Sequence, residues 1–195
     1  MPPRMSHLLG RLAQIEQDVE RELNQARTRL SYRLVAGRVR FEQDVRRAHK
    51  RIKQSIPRFV WQASLLHVLT APVIYSLIVP VALLDLWMTA YQWICFPIYG
   101  IDRVSRSTYV VVDRHHLAYL NGIEKLNCVF CGYATGVFAY AREVAGRTEL
   151  YWCPIRHARR IKAPHRQYHE FLDYGDAEGY RRRLLPLRDD TKGKP

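Results

Sequence analysis

The chain has 195 residues, four cysteines and a formal net charge of +13. It carries no phosphate loop, dinucleotide fingerprint or Ser-His-Asp order, which argues against nucleotide-dependent enzymes and serine hydrolases. Its mean hydropathy of −0.28 hides one long apolar segment.

Residues 1–58 carry an apolar stripe that predicts a long, basic, amphipathic helix. Apolar residues recur every three or four positions from Leu8 to Ile56, with a weak point at Gly37 and Arg38. This spacing is close to an 11-residue repeat, so the stripe stays on one face of a nearly straight helix. Such a face predicts pairing with a second copy, packing on a protein partner or contact with a bilayer.

The second half of this predicted helix is strongly basic, which favours contact with anionic lipid headgroups. Nucleic acid is a poorer explanation for this charge, because a membrane segment follows directly. The predicted lipid-contacting residues are Arg46, Arg47, Lys50, Arg51, Lys53 and Arg58.

Residues 59–101 form an apolar segment whose only formal charge is Asp85. One membrane span needs about 20 residues, so these 43 residues predict a membrane hairpin, with two spans or a re-entrant dip. Pro80 and Asp85 bracket the predicted bend, with Asp85 as the N-cap of the returning helix. The alternatives are a continuous helix kinked at Pro72 and Pro80, and a proton-relay or ligand role for Asp85.

Both flanks of the apolar segment are basic. Residues 1–58 carry 14 Lys or Arg against 6 acidic residues, and residues 102–195 carry 17 against 11. The positive-inside rule therefore predicts that both termini lie in the cytoplasm.

Two short cysteine motifs follow, Cys128-Val-Phe-Cys131-Gly and Cys153-Pro-Ile-Arg-His157. In a C-x-x-C turn both sulfurs can face one ion, and a Cys and a His four residues apart can share an ion on one helical turn. Cys128, Cys131, Cys153 and His157 would close a tetrahedral shell. The motifs predict a structural Zn(II) site that stabilises a small α+β domain over residues 102–165.

Other interpretations of these cysteines stay open. Cys128 and Cys131 could be buried packing residues, or a redox-active dithiol. Iron in a rubredoxin-like site is the other metal, although such a site requires a fourth thiolate where this chain has His157.

One further set of side chains could support catalysis, namely Asp113, His116, Glu124 and Glu143. On a helix, the first three share a side, and a facing Glu143 would complete a carboxylate-histidine set of the type that binds two irons in helix bundles. The structural alternative is that Asp113 caps a helix and Glu124 pairs with a basic residue.

Four segments between residues 67 and 160 resemble a family of short bacterial inner-membrane proteins without an assigned activity. They are HVLTAPVIY from His67, YQWICFPIYG from Tyr91, DRHHLAYLN from Asp113 and YWCPIRH from Tyr151. The resemblance implies a bacterial inner-membrane location. The cysteine motifs also resemble zinc-ribbon and rubredoxin knuckles.

These patterns predict a mainly α membrane protein that ends in a polar, basic tail over residues 166–195. The predicted function is a membrane-anchored scaffold, assembly factor or accessory subunit with structural zinc. Its predicted partners are membrane lipid and either another protein or a second copy bound through the N-terminal helix. The alternative is a membrane-bound metalloenzyme or redox protein that acts on a lipid or quinone-like substrate.

Overall fold

The computed structural model describes residues 3–29, 32–35, 38–41 and 43–182. These residues are mostly helical, as predicted. The chain divides into two units, one of Met1–Val60 with Asp113–Lys125 and the other of Trp61–Val112 with Leu126–Pro195. The last part of the predicted tail, residues 183–195, lies outside the described residues.

The first unit begins with helix α1 and a small antiparallel hairpin. Its elements are α1 (Pro3–Arg29), β1 (Tyr32–Val35), β2 (Arg38–Phe41), α2 (Gln43–Arg51) and the start of α3 (Ile56–Gln62). In the hairpin Tyr32 pairs with Phe41, and Val35 pairs with Arg38. The prediction of one continuous helix over residues 1–58 is therefore wrong. The chain leaves the helix where Tyr, Val and Phe are concentrated, because aromatic and β-branched residues favour strands.

Helix α1 keeps the predicted apolar stripe on one side. Leu12, Ile15, Val19 and Leu23 are 53–56% exposed, so the described residues leave this stripe uncovered. The outer stripe positions Leu8 and Leu30 lie outside the residues whose side chains are described.

The second unit contains the apolar segment as a nearly continuous helix, α4 (Leu65–Ser76) and α5 (Ile78–Tyr99). Only Leu77 separates them, and its dihedral angles are φ −61° and ψ −14°, which are still right-handed. Together they form one helix, Leu65–Tyr99, that is long and apolar enough to cross a membrane. Only 6% of its most apolar stretch is buried within the protein.

The structure does not contain the predicted hairpin and has instead the continuous helix of the alternative, whose kink at Pro72 and Pro80 stays a prediction. Val81–Leu84 contains no turn residue, and Pro80 lies in the first turn of α5, where its missing N–H is not required. Asp85 lies inside α5 and is not an N-cap. A continuous crossing by Leu65–Tyr99 would place its two ends on opposite sides of a bilayer, so the fold gives the prediction of two cytoplasmic termini no support.

Residues 101–112 form a return segment that runs back along α5. Helix α5 ends at Gly100, whose φ of 67° lets the Ile101 N–H donate to the Phe96 carbonyl at 2.9 Å. Val104 packs beside Phe96, near the end of α5. Val110 then packs near Val81, close to the start of the same helix. The segment includes the short helix α6 (Arg106–Tyr109).

Helix α7 (Gly122–Trp152) has 31 residues. Its contacts with α5 advance together along both helices, from Asp85 with Tyr133 to Tyr99 with Tyr151. The two helices are therefore parallel, and the return segment lies against both. The predicted small α+β domain over residues 102–165 is wrong, because α7 passes without a break through the first cysteine motif.

At Gly136 the backbone of the return segment lies directly against α7. A Cβ atom at this position would lie 2.7 Å from Val110 Cα and 2.8 Å from the Tyr109 carbonyl oxygen. Both neighbours are backbone atoms, so they cannot swing away as a flexible side chain would. Glycine is required here by the close backbone approach, and not by an unusual dihedral angle.

Substitution of Gly136 tests this packing. We expect Gly136→Ala to lower the free energy of unfolding by about 1–3 kcal/mol, because the added methyl group must displace backbone. The measurement is thermal unfolding in detergent, followed by circular dichroism. Gly10→Ala is the matched control, since a Cβ at Gly10 in α1 meets no atom within 4 Å. Equal stability of the two variants would contradict the packing of residues 109–110 on α7.

Candidate functional site

The buried face of α5 is unusually polar for an apolar helix. Four of its residues are buried, and two of these, Asp85 and Gln92, are polar. They are seven residues apart, about two helical turns, and so share one side. An ionisable residue in an apolar helix is a candidate for function until its partners are known.

Asp85 forms a bidentate ion pair with Arg106 of the return segment. Arg106 Nε donates to Asp85 Oδ1 at 2.8 Å, and Nη2 donates to Oδ2 at 2.6 Å. The Tyr133 hydroxyl of α7 donates to Oδ2 at 2.9 Å. The Asp85 side chain is 11% exposed and that of Arg106 is 42% exposed. Three elements are therefore joined at one carboxylate.

The guanidinium of Arg106 is a permanent cation, and its planar fork of N–H donors matches the two oxygens of a carboxylate. Because a permanent cation pairs with Asp85, the carboxylate is held as a structural anchor.

Gln92 satisfies both backbone groups of Val104, which is buried. The Val104 N–H donates to Gln92 Oε1 at 2.9 Å, while Gln92 Nε2 donates to the Val104 carbonyl at 3.2 Å. Gln92 Nε2 also donates to the Tyr140 hydroxyl of α7 at 2.6 Å. The side-chain amide thus supplies the two hydrogen bonds that a neighbouring strand would give to this backbone.

A second polar cluster fastens the segment after α7 onto that helix. Glu143 Oε1 accepts hydrogen bonds from Arg147 Nε at 3.0 Å and from Gln167 Nε2 at 2.9 Å. The His165 ring lies 3.0 Å from Glu149 Oε2. Gly146 makes room for it, because a Cβ there would lie 2.8 Å from His165 Nδ1. Glu143, a predicted site residue, therefore has a structural role.

The structure does not bring the four predicted zinc ligands together. Cys128 and Cys131 lie on one face of α7, and Cys153 follows its last residue. The 22 residues from Cys131 to Cys153 cover about 33 Å of helical rise. The His157 N–H donates to the Tyr168 hydroxyl at 2.8 Å. Within the described ranges, no group of three or more His, Cys, Asp or Glu side chains is placed to hold a metal ion.

The predicted two-knuckle geometry is therefore wrong, because the C-x-x-C motif is helical and not a turn. Gly132 lies inside α7 and does not take up the left-handed conformation of a knuckle. Zinc binding itself stays a prediction.

The predicted catalytic set is also dispersed. Residues 113–121 do not form the predicted helix, and only a single 3₁₀ turn, Arg114–His116, follows Asp113. Glu124 Oε2 accepts the Asn121 N–H at 2.8 Å, while Asn121 Oδ1 accepts the Glu124 N–H at 3.0 Å. This reciprocal pair is a capping box that starts α7. Glu143 lies 19 residues further along α7, about 28 Å by helical rise, and cannot join Glu124.

The predicted lipid-contacting residues all lie on the surface. Arg46, Arg47, Lys50 and Arg51 belong to α2, Arg58 belongs to α3, and Lys53 lies between these helices. All six are exposed. Their contact with lipid stays a prediction.

Comparisons with protein-family models, with curated proteins and with solved structures give no match. The resemblance to a bacterial inner-membrane family therefore stays a prediction. The geometry and chemistry of these residues are what bears on function.

A double-mutant cycle tests the ion pair between Asp85 and Arg106. We expect Asp85→Leu and Arg106→Leu each to destabilise the protein, and the double variant to lose less than the sum. The expected coupling is about 2 kcal/mol, below the roughly 3–5 kcal/mol for breaking a fully buried pair, because Arg106 is partly exposed. The measurement is the free energy of unfolding in detergent.

The control for this cycle is the exposed pair Glu178 and Arg182, whose side chains are 82% and 74% exposed. Its coupling should be about 0.3–0.5 kcal/mol, as for other pairs four residues apart on a helix. A coupling at Asp85 and Arg106 no larger than this would show that the pair does not hold the return segment.

The position of the thiols gives a second prediction. Cys131 is exposed on a helix that is already formed, so Cys131→Ser should change the free energy of unfolding by less than about 0.5 kcal/mol. A chelator should likewise leave the melting temperature unchanged. Loss of helicity in either experiment, together with one zinc per chain by plasma mass spectrometry, would restore the structural zinc site.

Proposed function

We propose that the protein is a membrane-anchored scaffold or accessory subunit. The observation that carries the proposal is the distribution of polar and apolar residues on α4 and α5. The outward surface of these helices is apolar, whereas the buried face of α5 contains an ion pair and an amide. This arrangement suits a helix surrounded by lipid, because polar groups must then find their partners inside the protein.

The outward surface of α4 and α5 is large and continuous. Exposed apolar patches of this size mark membrane or protein contacts, because soluble monomers rarely leave them open to water. A helix of 35 residues has about 52 Å of rise, which exceeds the roughly 30 Å of a bilayer core. The residues that are 60–75% exposed are Leu65, Leu66, Leu69, Val73, Val79, Leu83, Leu86, Trp87, Trp93, Ile94 and Ile98.

Helix α1 supplies the surface for a partner. Residues 10–25 hold four acidic and two basic residues around the exposed stripe, so this part of α1 has a negative net charge. An acidic helix is repelled by anionic lipid, whereas its apolar stripe still requires a cover. This combination favours a protein partner, or a second copy of the chain, over the membrane surface. The inner membrane of a bacterium is the location that the sequence resemblance implies.

Photo-crosslinking in native membranes tests both parts of the proposal. A photoreactive amino acid is placed at Ile15 on the apolar stripe, or at Gln17 on the opposite side of α1 as the control. We expect the protein to resist extraction by alkaline carbonate, since α4 and α5 are inserted. The Ile15 variant should give a protein adduct of discrete mass, and the Gln17 variant should not.

Each half of the proposal has its own contrary result. Extraction by carbonate would contradict anchoring by α4 and α5. Adducts only with lipid at Ile15, or equal adducts at both positions, would contradict a scaffold that binds through the stripe.

A further inference from the structure

A basic cleft follows the end of α7. Its volume is about 770 Å³, and residues 156, 157 and 159–164 together with Tyr168 line it. Among the described residues, no Asp or Glu lines the cleft. The cationic side chains that line it are Arg156, Arg159, Arg160 and Lys162, with His157 beside them.

The backbone on both sides of the cleft is fixed. Arg156 N–H donates to the Leu172 carbonyl, and Leu172 N–H donates to the Pro154 carbonyl, both at 2.8 Å. Arg142 of α7 donates to the carbonyls of Ala163 and Pro164. The end of the loop at Ala163 and Pro164 is thus bonded to α7. The loop therefore holds its cationic side chains around the cleft.

One of the cationic side chains is already bound to neighbouring protein groups, and three face the solvent. Arg156 Nη1 pairs with Asp173 Oδ1 at 2.7 Å, and its Nη2 donates to the His169 carbonyl at 2.8 Å. Arg159, Arg160 and Lys162 are exposed and form no ion pair with a described residue. Three positive charges around a concave, carboxylate-free surface attract a polyvalent anion such as a phosphate group.

The position of the cleft indicates where this phosphate comes from. Tyr99 is the last residue of α5, and its ring stacks on Tyr151 at 5.3 Å and meets Trp152 edge-on at 5.2 Å. Tyr and Trp concentrate at the boundary between the bilayer core and water. The cleft starts a few residues after Trp152, so it lies at the end of the candidate span that these rings mark.

We propose that this cleft binds the phosphate group of an anionic phospholipid. The inference rests on the proposed membrane anchoring, which places the cleft at the level of the headgroups. Arg159, Arg160 and Lys162 supply the charge, and Arg156 and Tyr168 form the fixed wall. A phosphate diester carries the single negative charge and the acceptor oxygens that guanidinium groups bind in pairs.

Thermal unfolding of the full chain in nanodiscs tests the proposal. The discs contain phosphatidylcholine alone, phosphatidylcholine with inorganic phosphate in the buffer, or phosphatidylcholine mixed with phosphatidylglycerol. We expect phosphatidylglycerol to raise the melting temperature. In the Arg159→Gln/Arg160→Gln variant, the phosphatidylglycerol fraction needed for half of this shift should rise about 30-fold, which removes the shift over the accessible range.

The matched control is Arg181→Gln/Arg182→Gln, which removes the same charge from two exposed residues outside the cleft. It should keep the wild-type response. An equal loss in both variants would mean general charge attraction and would overturn the cleft as a site. A full shift with inorganic phosphate in neutral discs would overturn the lipid as the source.

Failure of the anchoring and failure of this inference give different results. A chain that does not enter nanodiscs contradicts the proposed membrane anchor. A chain that enters them and melts at the same temperature with and without phosphatidylglycerol contradicts only the lipid site.

Discussion

The second unit depends on satisfying the backbone of the return segment between two parallel helices. Parallel helices require the chain to travel back along the whole first helix before the second begins. Helix α5 has 22 residues, or about 33 Å of rise. The four residues of α6 cover about 6 Å, and the other eight residues of the return segment reach at most about 28 Å. Residues 101–112 are therefore just long enough to run back along α5, and Val104 in this segment is buried.

That constraint explains why the buried face of α5 is polar. An irregular backbone buried between helices leaves N–H and C=O groups that must find partners. Gln92 provides both partners for Val104, and Asp85 fixes Arg106 two helical turns earlier in α5. Gly136 then lets the backbone of residues 109–110 touch α7. The polar residues of the apolar helix are thus required by the chain topology.

Part of this fold could be predicted from the sequence because it depends on local pattern. The apolar segment and the stripe of α1 are periodic signals, and Asp85 stood out as one charge among apolar residues. The sequence did not indicate that Arg106 is its partner. Arg106 lies 21 residues later, outside the apolar segment, and many other basic residues could have paired with Asp85. The alternation in residues 32–41 was hidden because Leu34 and Phe41 also fit the helical stripe.

The cysteine motif shows a different limit. Two cysteines three residues apart suit a metal-binding turn, and they suit one face of a helix equally well. The same stretch contains Gly132 and Gly136 four residues apart, a small-residue spacing that allows close helix contacts in membranes. Both glycines are buried in α7. Choosing between the two patterns requires knowing what packs there, which is long-range information that the spacing does not contain.

Helix α7 lies beside the candidate span and has a long uncharged stretch of its own. Residues 126–141 carry no charged side chain, and they cover about 24 Å beside α5. The small and tyrosine residues of α7 face the return segment and α5, while Phe138 and Leu126 remain more than half exposed. Charges resume at Arg142 and continue through Arg147, which donates to the Asp102 carbonyl near the end of α5. A bilayer around α5 would therefore also contact α7 over residues 126–141.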